Sequence, residues 1–487
     1  MSSIVLCFEV HQPFRIKHLS ELNRCLDAEN FEHFLNDGLN KFIFDRAARK
    51  CYLPTTKILL ESIDTFKNEK RKFKFSINFS GLWLEQCEKW QPDLLENVKQ
   101  LAQSGLVEFL GSTYFHSLAS LFKSHDEFRE QVQMQSQAIQ DYFGIKPKNF
   151  VNTEMLYNNL IAKTVEDLGF KSIFTEGADR ILGWRSPNYV YARGPVCEND
   201  KTLDKRIRVL TRNYRLSDDI GYRFYSKEWN EWPLTAEKYS IWLSSTPGQY
   251  INLFMDFETF GEHQPEESGI FFFLKALPWK IFDWKNLDFK LPSEIITEFK
   301  PVGEIDVHEN NTLSWADMER DKSAWLGNSM QQMAFEELEQ LESLVKQNGK
   351  TYLRFWRLLQ QSDHFYYMCT KWWADGDVHR YFSPFSTPHD SFISMISGIS
   401  DVKFKLGKEL GKFEVLNGNR LKKVSRGKGK PHKNKEIEDL MKMKEPVKPK
   451  LEEIKPQSEI DFILNEKIAY PSTNIDVGKL ERINSKK

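Results

Sequence analysis

Before residue 260 the chain repeats one pattern, a short apolar run followed in most cases by a stretch whose apolar residues recur every three to four positions. Seven runs carry it: "SIVLCFEV", "KFKFSINFS", "LVEFLGS", "NFVNTEML", "KSIFTE", "RIRVLTRN" and "YINLFMDFE". An amphipathic stretch such as "LLENVKQLAQSG", which stops at Gly105, reads as a helix with its terminator. Strands that alternate with helices lie parallel, and strands covered on both faces are almost continuously apolar, as these are. The expectation is an α/β fold, an incomplete (β/α)7 barrel over residues 1–290, with long loops in the less regular stretch from Trp184 to Pro247. From about Ser293 the strand signals fade. There "SAWLGNSMQQMAFEELEQLESLVKQ" and "YLRFWRLLQQSDHFYYMCTKW" read as long helices, a helical domain over 291–406 that completes an active-site cleft. Residues 407–487, rich in Lys and Pro and poor in aromatics, cannot bury enough apolar surface to order themselves and are expected to form a largely disordered tail.

The seventh run ends in "FMDFETFGEH" and places two acids at the end of a buried strand. Side chains alternate across a strand, so Asp256 and Glu258 are expected on the face of Asn252 and Phe254, inside the barrel. By the same reasoning Glu9 and His11 share a face at the end of the first run, and Glu154 closes the fourth. The carboxyl-terminal rim is where barrels of this type carry out chemistry. Any one of these acids could be neutralised by an arginine, but Glu9, His11, Glu108, Glu154, Asp256 and Glu258 as a group outnumber the arginines nearby. Clustered carboxylates without a phosphate loop or a cysteine base suit glycoside hydrolysis, in which one ionised carboxylate meets the anomeric carbon and a protonated one serves the leaving oxygen. The competing use is a metal site, since His11, His116, His263 and the acids could ligate zinc or manganese. No HxxxH or HxD pair is present, so no metal and no cofactor are expected.

Composition narrows the ligand. Lys and Arg number 68 against 69 acids, for a net charge of -1, so no global field recruits nucleic acid or an anionic membrane. Aromatic residues make up 14% of the chain, with 13 Trp and 37 Phe, more than a core needs and suited to stacking on sugars. The six scattered cysteines show no CxxC pair and read as reduced thiols. With a first segment that runs straight into a strand and has no basic export signal, and with no apolar run of about 20 residues, the expected address is cytoplasmic and soluble. Oligomeric state is not legible.

These residues resemble glycoside hydrolase family 57, its α-amylases and 4-α-glucanotransferases, over roughly residues 1 to 400. The matching motifs are His11, Gln12 and Pro13; Glu108 in "GLVEFLGSTYFHS"; Glu154 in "VNTEMLYNN"; Asp256, Glu258, Phe260 and Gly261 in "MDFETFG"; and Asp363, His364 and Tyr366 in "SDHFYYM". Asn152 stands where the family has an aromatic or aliphatic residue, and the fifth motif lacks Trp-His-Gly. The resemblance implies a retaining enzyme acting on α-1,4-glucans or maltooligosaccharides, with Glu154 as nucleophile and Asp256 as general acid/base. Alternatives are a 4-α-glucanotransferase with the same pair, a silent glucan-binding protein, or a metal-dependent carbohydrate deacetylase. His11, Gln12, Glu108, His116, Trp184, Glu258, His263, Asp363 and His364 are the expected substrate-binding residues, Trp184 as a loop tryptophan that either stacks on a sugar or plugs the barrel. Trp315 and Trp325 are expected in the core.

Overall fold

The first strand, β1 (Ser2–Val10), is buried along its whole length, and its two faces enter different layers. Ile4, Leu6, Phe8 and Val10 pack outward against the helices, whereas Val5 and Cys7 join an inner cluster with Leu110, Val151, Phe174, Leu210 and Phe254. Alternation therefore sets Glu9 on the inner face above Cys7. The computed structural model describes residues 2–18, 34–348, 350–371, 383–409, 414–416 and 420–422.

The following strands are β2 (Phe75–Phe79), β3 (Val107–Leu110), β4 (Asn149–Val151), β5 (Ser172–Glu176), β6 (Tyr191–Arg193), β7 (Arg208–Arg212), β8 (Tyr250–Asp256), β9 (Leu287–Phe289) and β10 (Glu304–Ile305). β1 pairs in parallel with β2 and β8, β2 with β3, β4 with β5, and β5 with β7. A parallel bridge between Gly111 and Phe150 joins β3 to β4. The seven strands of this wall are the seven apolar runs of the sequence. Its ends, β7 and β8, share no ladder among the described residues, and single backbone and side-chain hydrogen bonds stitch the seam instead. Asn213 N–H donates to the Asn252 carbonyl at 2.9 Å, Phe254 N–H to Ser217 Oγ at 3.2 Å, and Arg212 Nε to the Phe254 carbonyl at 2.7 Å. The fold is an incomplete parallel barrel.

Three strands escaped the sequence reading. β9 pairs with the first residues of β1, and β6 runs antiparallel to β7 with β10 on its other side. Each has two or three residues, too few to show a period. The stretch expected as loops, 184–247, also holds helices Tyr214–Gly221 and Ala236–Ser245.

The helical region contains Ser329–Asn348, Lys350–Leu358 and Pro388–Glu409. The second long helix expected there is interrupted. At Gln361 the backbone turns extended, with ψ 135°, and pairs with Ser117; a short helix, Ser362–Tyr366, restarts after it. Leu118 N–H donates to the Gln360 carbonyl at 3.1 Å and Ser362 N–H to that of His116 at 3.0 Å. The break turns Ser362 and Asp363 toward the barrel mouth, a consequence of long-range pairing that local periodicity does not report. Of the expected tail, 407–409 continue a helix, 414–416 and 420–422 form a short antiparallel pair, and the rest lies outside the described residues. No helix among the described residues is long and apolar enough to cross a membrane.

Candidate active site

The barrel strands deliver three acids to one rim. Glu9 and Asp256 end β1 and β8 side by side in register. Tyr250 and Phe254 of β8 lie in the inner cluster and Ile251, Leu253 and Met255 in the outer one, so Asp256 points inward. Glu154 follows β4 in a tight turn with φ 56° and ψ 24°, a left-handed conformation that costs a residue other than glycine about 1–3 kcal/mol. The surroundings hold it there. Asn152 Nδ2 donates to the Leu156 carbonyl at 2.9 Å and to Ser120 Oγ at 2.8 Å, and Ser314 Oγ donates to the Glu154 carbonyl at 2.9 Å.

Both Glu154 oxygens meet donors. Trp315 Nε1 donates to Oε2 at 2.9 Å and Ser362 Oγ to Oε1 at 2.8 Å. His116, also left-handed at φ 48°, brings Nε2 to 3.4 Å from Glu154 Oε1 and Nδ1 to 3.5 Å from Glu9 Oε1. Burial works against its charge, but the hydrogen bond and charge of Glu154 and the charge of Glu9 outweigh it and lift the imidazole to about 9. His116 is therefore an imidazolium between two carboxyl groups. His11 stacks on it, ring centroids 4.0 Å apart, and takes the opposite state: burial and the His116 charge lower it to about 4. A neutral His11 donates through Nε2 to Asp363 Oδ2 at 3.0 Å, and Ser80 Oγ lies 2.7 Å from its Nδ1. Burial opposes the charge of Asp363, yet His11 and His116 hold it below the usual carboxylate range.

Asp256 has a different environment. Among the described residues no group donates a hydrogen bond to its carboxylate, and burial and the Glu154 charge raise it to about 7, against the pull of Arg212 and His116. Glu9 is raised by burial to about 8; among the described residues only Asn78 Nδ2, at 3.3 Å, donates to it, and Oε2 has no partner. Four acids, Glu9, Glu154, Asp256 and Asp363, surround the His116 cation and are coupled to one another.

Several expected residues lie elsewhere. Glu108 sits within β3 in register with Cys7, below the rim; its carboxylate accepts from Asn149, from Ser293 N–H at 3.1 Å and from Ser293 Oγ at 2.8 Å. It plugs the barrel. The strand β8 ends at Asp256, so alternation stops, and Glu258 in the turn beyond it faces the helical segment around Tyr52, whose hydroxyl donates to it at 2.5 Å. Burial first, then the Asp256 charge, raise Glu258 to about 8. Gln12 lies near it, its Oε1 accepting from Arg15 at 3.3 Å. His364 follows Asp363 on a helix, where successive side chains diverge by about 100°; it is buried against the Phe14 carbonyl at 3.2 Å, away from the mouth. His263 occupies the turn after Glu258, where burial lowers it to about 4. Trp184 is 95% exposed, in the loop beyond β5. Trp325 is core, but Trp315, expected there too, bonds Glu154. Together with Ser362 it is a site residue the sequence did not single out, since nothing local marks either. Among the described residues no three of His, Cys, Asp or Glu are arranged to hold one metal ion.

Residues 5–308 match the sequence model of Glycosyl hydrolase family 57. A protein of Methanocaldococcus jannaschii described as "Putative alpha-amylase" is 43% identical over 429 residues, covering 86% of this chain and 88% of that one. Among solved structures, a GH57 branching enzyme of Thermococcus kodakaraensis aligns with a TM-score of 0.55 at 15% identity, over 84% of this chain and 94% of that chain. The alpha-amylase AmyC of Thermotoga maritima aligns with a TM-score of 0.51 at 13% identity, over the same shares. At such identities the two superpositions speak for the fold.

Proposed function

Because the chain belongs to glycosyl hydrolase family 57, we propose that its rim cluster is the active site of a retaining enzyme on α-1,4-linked glucans, with Glu154 as nucleophile and Asp256 as general acid/base. One observation carries the assignment: two neighbouring carboxyl groups have opposite surroundings. Glu154 accepts from Trp315 and Ser362 beside the His116 cation, as an anion requires, whereas Asp256 has no donor among the described residues and holds its proton to about 7. A carboxylate ringed by donors suits the nucleophile, and a carboxyl group short of them suits the proton donor.

The steps follow. Asp256 gives its proton to the glycosidic oxygen as the bond from that oxygen to the anomeric carbon breaks, and a Glu154 oxygen bonds to that carbon. Asp256, now ionised, takes a proton from an incoming hydroxyl whose oxygen displaces Glu154, restoring both groups and the original anomeric configuration. Water as acceptor gives hydrolysis, our first reading, in keeping with the amylase names among the relatives. A sugar hydroxyl gives glucan transfer by the same carboxylates. In this reading the helical region, 291–406, completes the cleft through Ser362 and Asp363, the paired histidines line it, and exposed Trp184 stacks on bound sugar.

Proton NMR during the first minutes of maltopentaose cleavage tests the mechanism. The α-anomer is expected first, and an initial β signal overturns double displacement. Incubation with maltotriose separates the acceptors: a ladder of longer oligomers means transfer, and glucose with maltose alone means hydrolysis.

A further inference from the structure

Behind the candidate nucleophile lies a closed ring of four charged side chains that the proposed chemistry does not use. Arg212, last residue of β7, donates from Nη1 to Glu176 Oε2 at 3.0 Å and from Nη2 to Asp218 Oδ1 at 2.5 Å. Arg320 completes the ring, from Nη1 to the same Glu176 oxygen at 3.1 Å and from Nη2 to Asp218 Oδ2 at 3.2 Å. The formal charges cancel, and Glu176, Arg212 and Asp218 are buried.

The ring touches the supports of both candidate carboxylates. Arg212 Nε bonds the Phe254 carbonyl, two residues before Asp256, across the seam that lacks a ladder. On the other side Arg320 Nη1 also donates to the Trp315 carbonyl at 2.7 Å, and Trp315 in turn donates its indole N–H to Glu154. The Trp315 ring is boxed in by the Phe254 ring, edge to face at 5.9 Å, and by the Arg212 guanidinium at 5.8 Å. Arg320 reaches all this from a left-handed position, φ 54°, in the loop that carries Trp315. A planar guanidinium with several fixed donors can hold two carboxylates and a carbonyl at once, which a lysine ammonium on its flexible stem does not reproduce.

We propose that Arg320 is a positioning residue: it pins the Trp315 loop to the charged ring and so sets the indole N–H against Glu154. The proposal rests on Glu154 as the reacting carboxylate. It assigns Arg320 no contact with substrate, so its loss should weaken turnover and leave binding nearly intact. A misdirected hydrogen bond to a charged group corresponds to about a tenfold or larger loss.

The test uses the full chain, maltopentaose kinetics and the indole N–H resonance of Trp315 in protein labelled with 15N-tryptophan, assigned by its loss in Trp315→Phe. Arg320→Gln should lower kcat about tenfold or more with KM within about twofold, and should move the Trp315 resonance. Trp315→Phe should lower kcat similarly, and the double variant should be no worse than the poorer single one, because both remove the same support. Arg320→Lys keeps the ring neutral should Arg320→Gln fail to fold, and is expected to lose kcat less. Unchanged kcat in the Arg320 variants, losses that multiply in the double variant, or an unmoved Trp315 resonance overturns the proposal. The resonance separates this failure from that of the active-site reading. Turnover that survives Glu154→Gln removes the nucleophile assignment, whereas an indole signal shifted by Glu154→Gln but indifferent to Arg320 removes only the role of Arg320.

Discussion

Two levels of one barrel treat buried acids in opposite ways. At Glu108, low in β3, three donors from Asn149 and Ser293 surround the carboxylate and account for both of its oxygens. Two residues higher, at the rim, Glu9 has one donor and an oxygen with no partner, and Asp256 has no donor among the described residues. Burial raises all three acids. What separates them is the count of partners: a buried carboxyl group that has its hydrogen bonds is part of the wall, and one left short of them is poised to exchange a proton.

The comparison breaks if acids at the two levels respond alike. The largest effect is expected at the rim, where Glu154→Gln should cut turnover at least about 1,000-fold with binding of maltopentaose retained, measured by kinetics and calorimetry. Asp256→Asn should lose about 100- to 10,000-fold. In its proposed role Asp256 must be protonated, so wild-type turnover should fall as pH rises past about 7, a limb that a pH profile of kcat displays and that Asp256→Asn removes. Glu108→Ala should do the reverse, lowering unfolding free energy by about 1–3 kcal/mol through its stranded donors while kcat stays within about twofold.

Glu9→Gln sharpens the contrast through stability. The folded state raises Glu9 from 4.5 to about 8, so it binds more protons than the unfolded chain in that window, and stability falls as pH rises through it. His116, raised from 6.5 to about 9 by Glu154 and Glu9 against its own burial, adds to the decline. Glutamine cannot titrate and removes one of the carboxylates that raise His116, so denaturant titrations between pH 5 and 9 should show a flatter curve. An unchanged slope removes Glu9 from the shared proton system. The smallest effect belongs to Trp184→Ala, with stability within about 0.5 kcal/mol and, if the ring stacks on sugar, a rise in KM of about two- to tenfold.

The strand reading succeeded wherever a strand was long enough for its apolar run to exceed chance, and the inward direction of Glu9 and Asp256 followed from the alternation alone. It failed one step past the strand, at Glu258, where the chain enters a turn and period two no longer applies. Glu108 shows the other limit. Its face was legible but its height in the barrel was not, because register between parallel strands is set by packing and by pairing partners far along the chain. His364, one residue from Asp363, could not be told from it until the helix that carries both was oriented.

By itself the sequence determined the layer structure, the seven parallel strands and the inward direction of Glu9 and Asp256, because each depends on the chemistry of residues within about ten positions of one another. The tertiary structure alone decided which acids have partners. Trp315 and Ser362 reach Glu154 from 161 and 208 residues away, His11 meets Asp363 across 352, and the ring joins Glu176, the stretch from Arg212 to Asp218, and Arg320. The partners of a buried carboxyl group are such distant contacts, so the different surroundings of Glu154 and Asp256 are written in the fold and not in either residue.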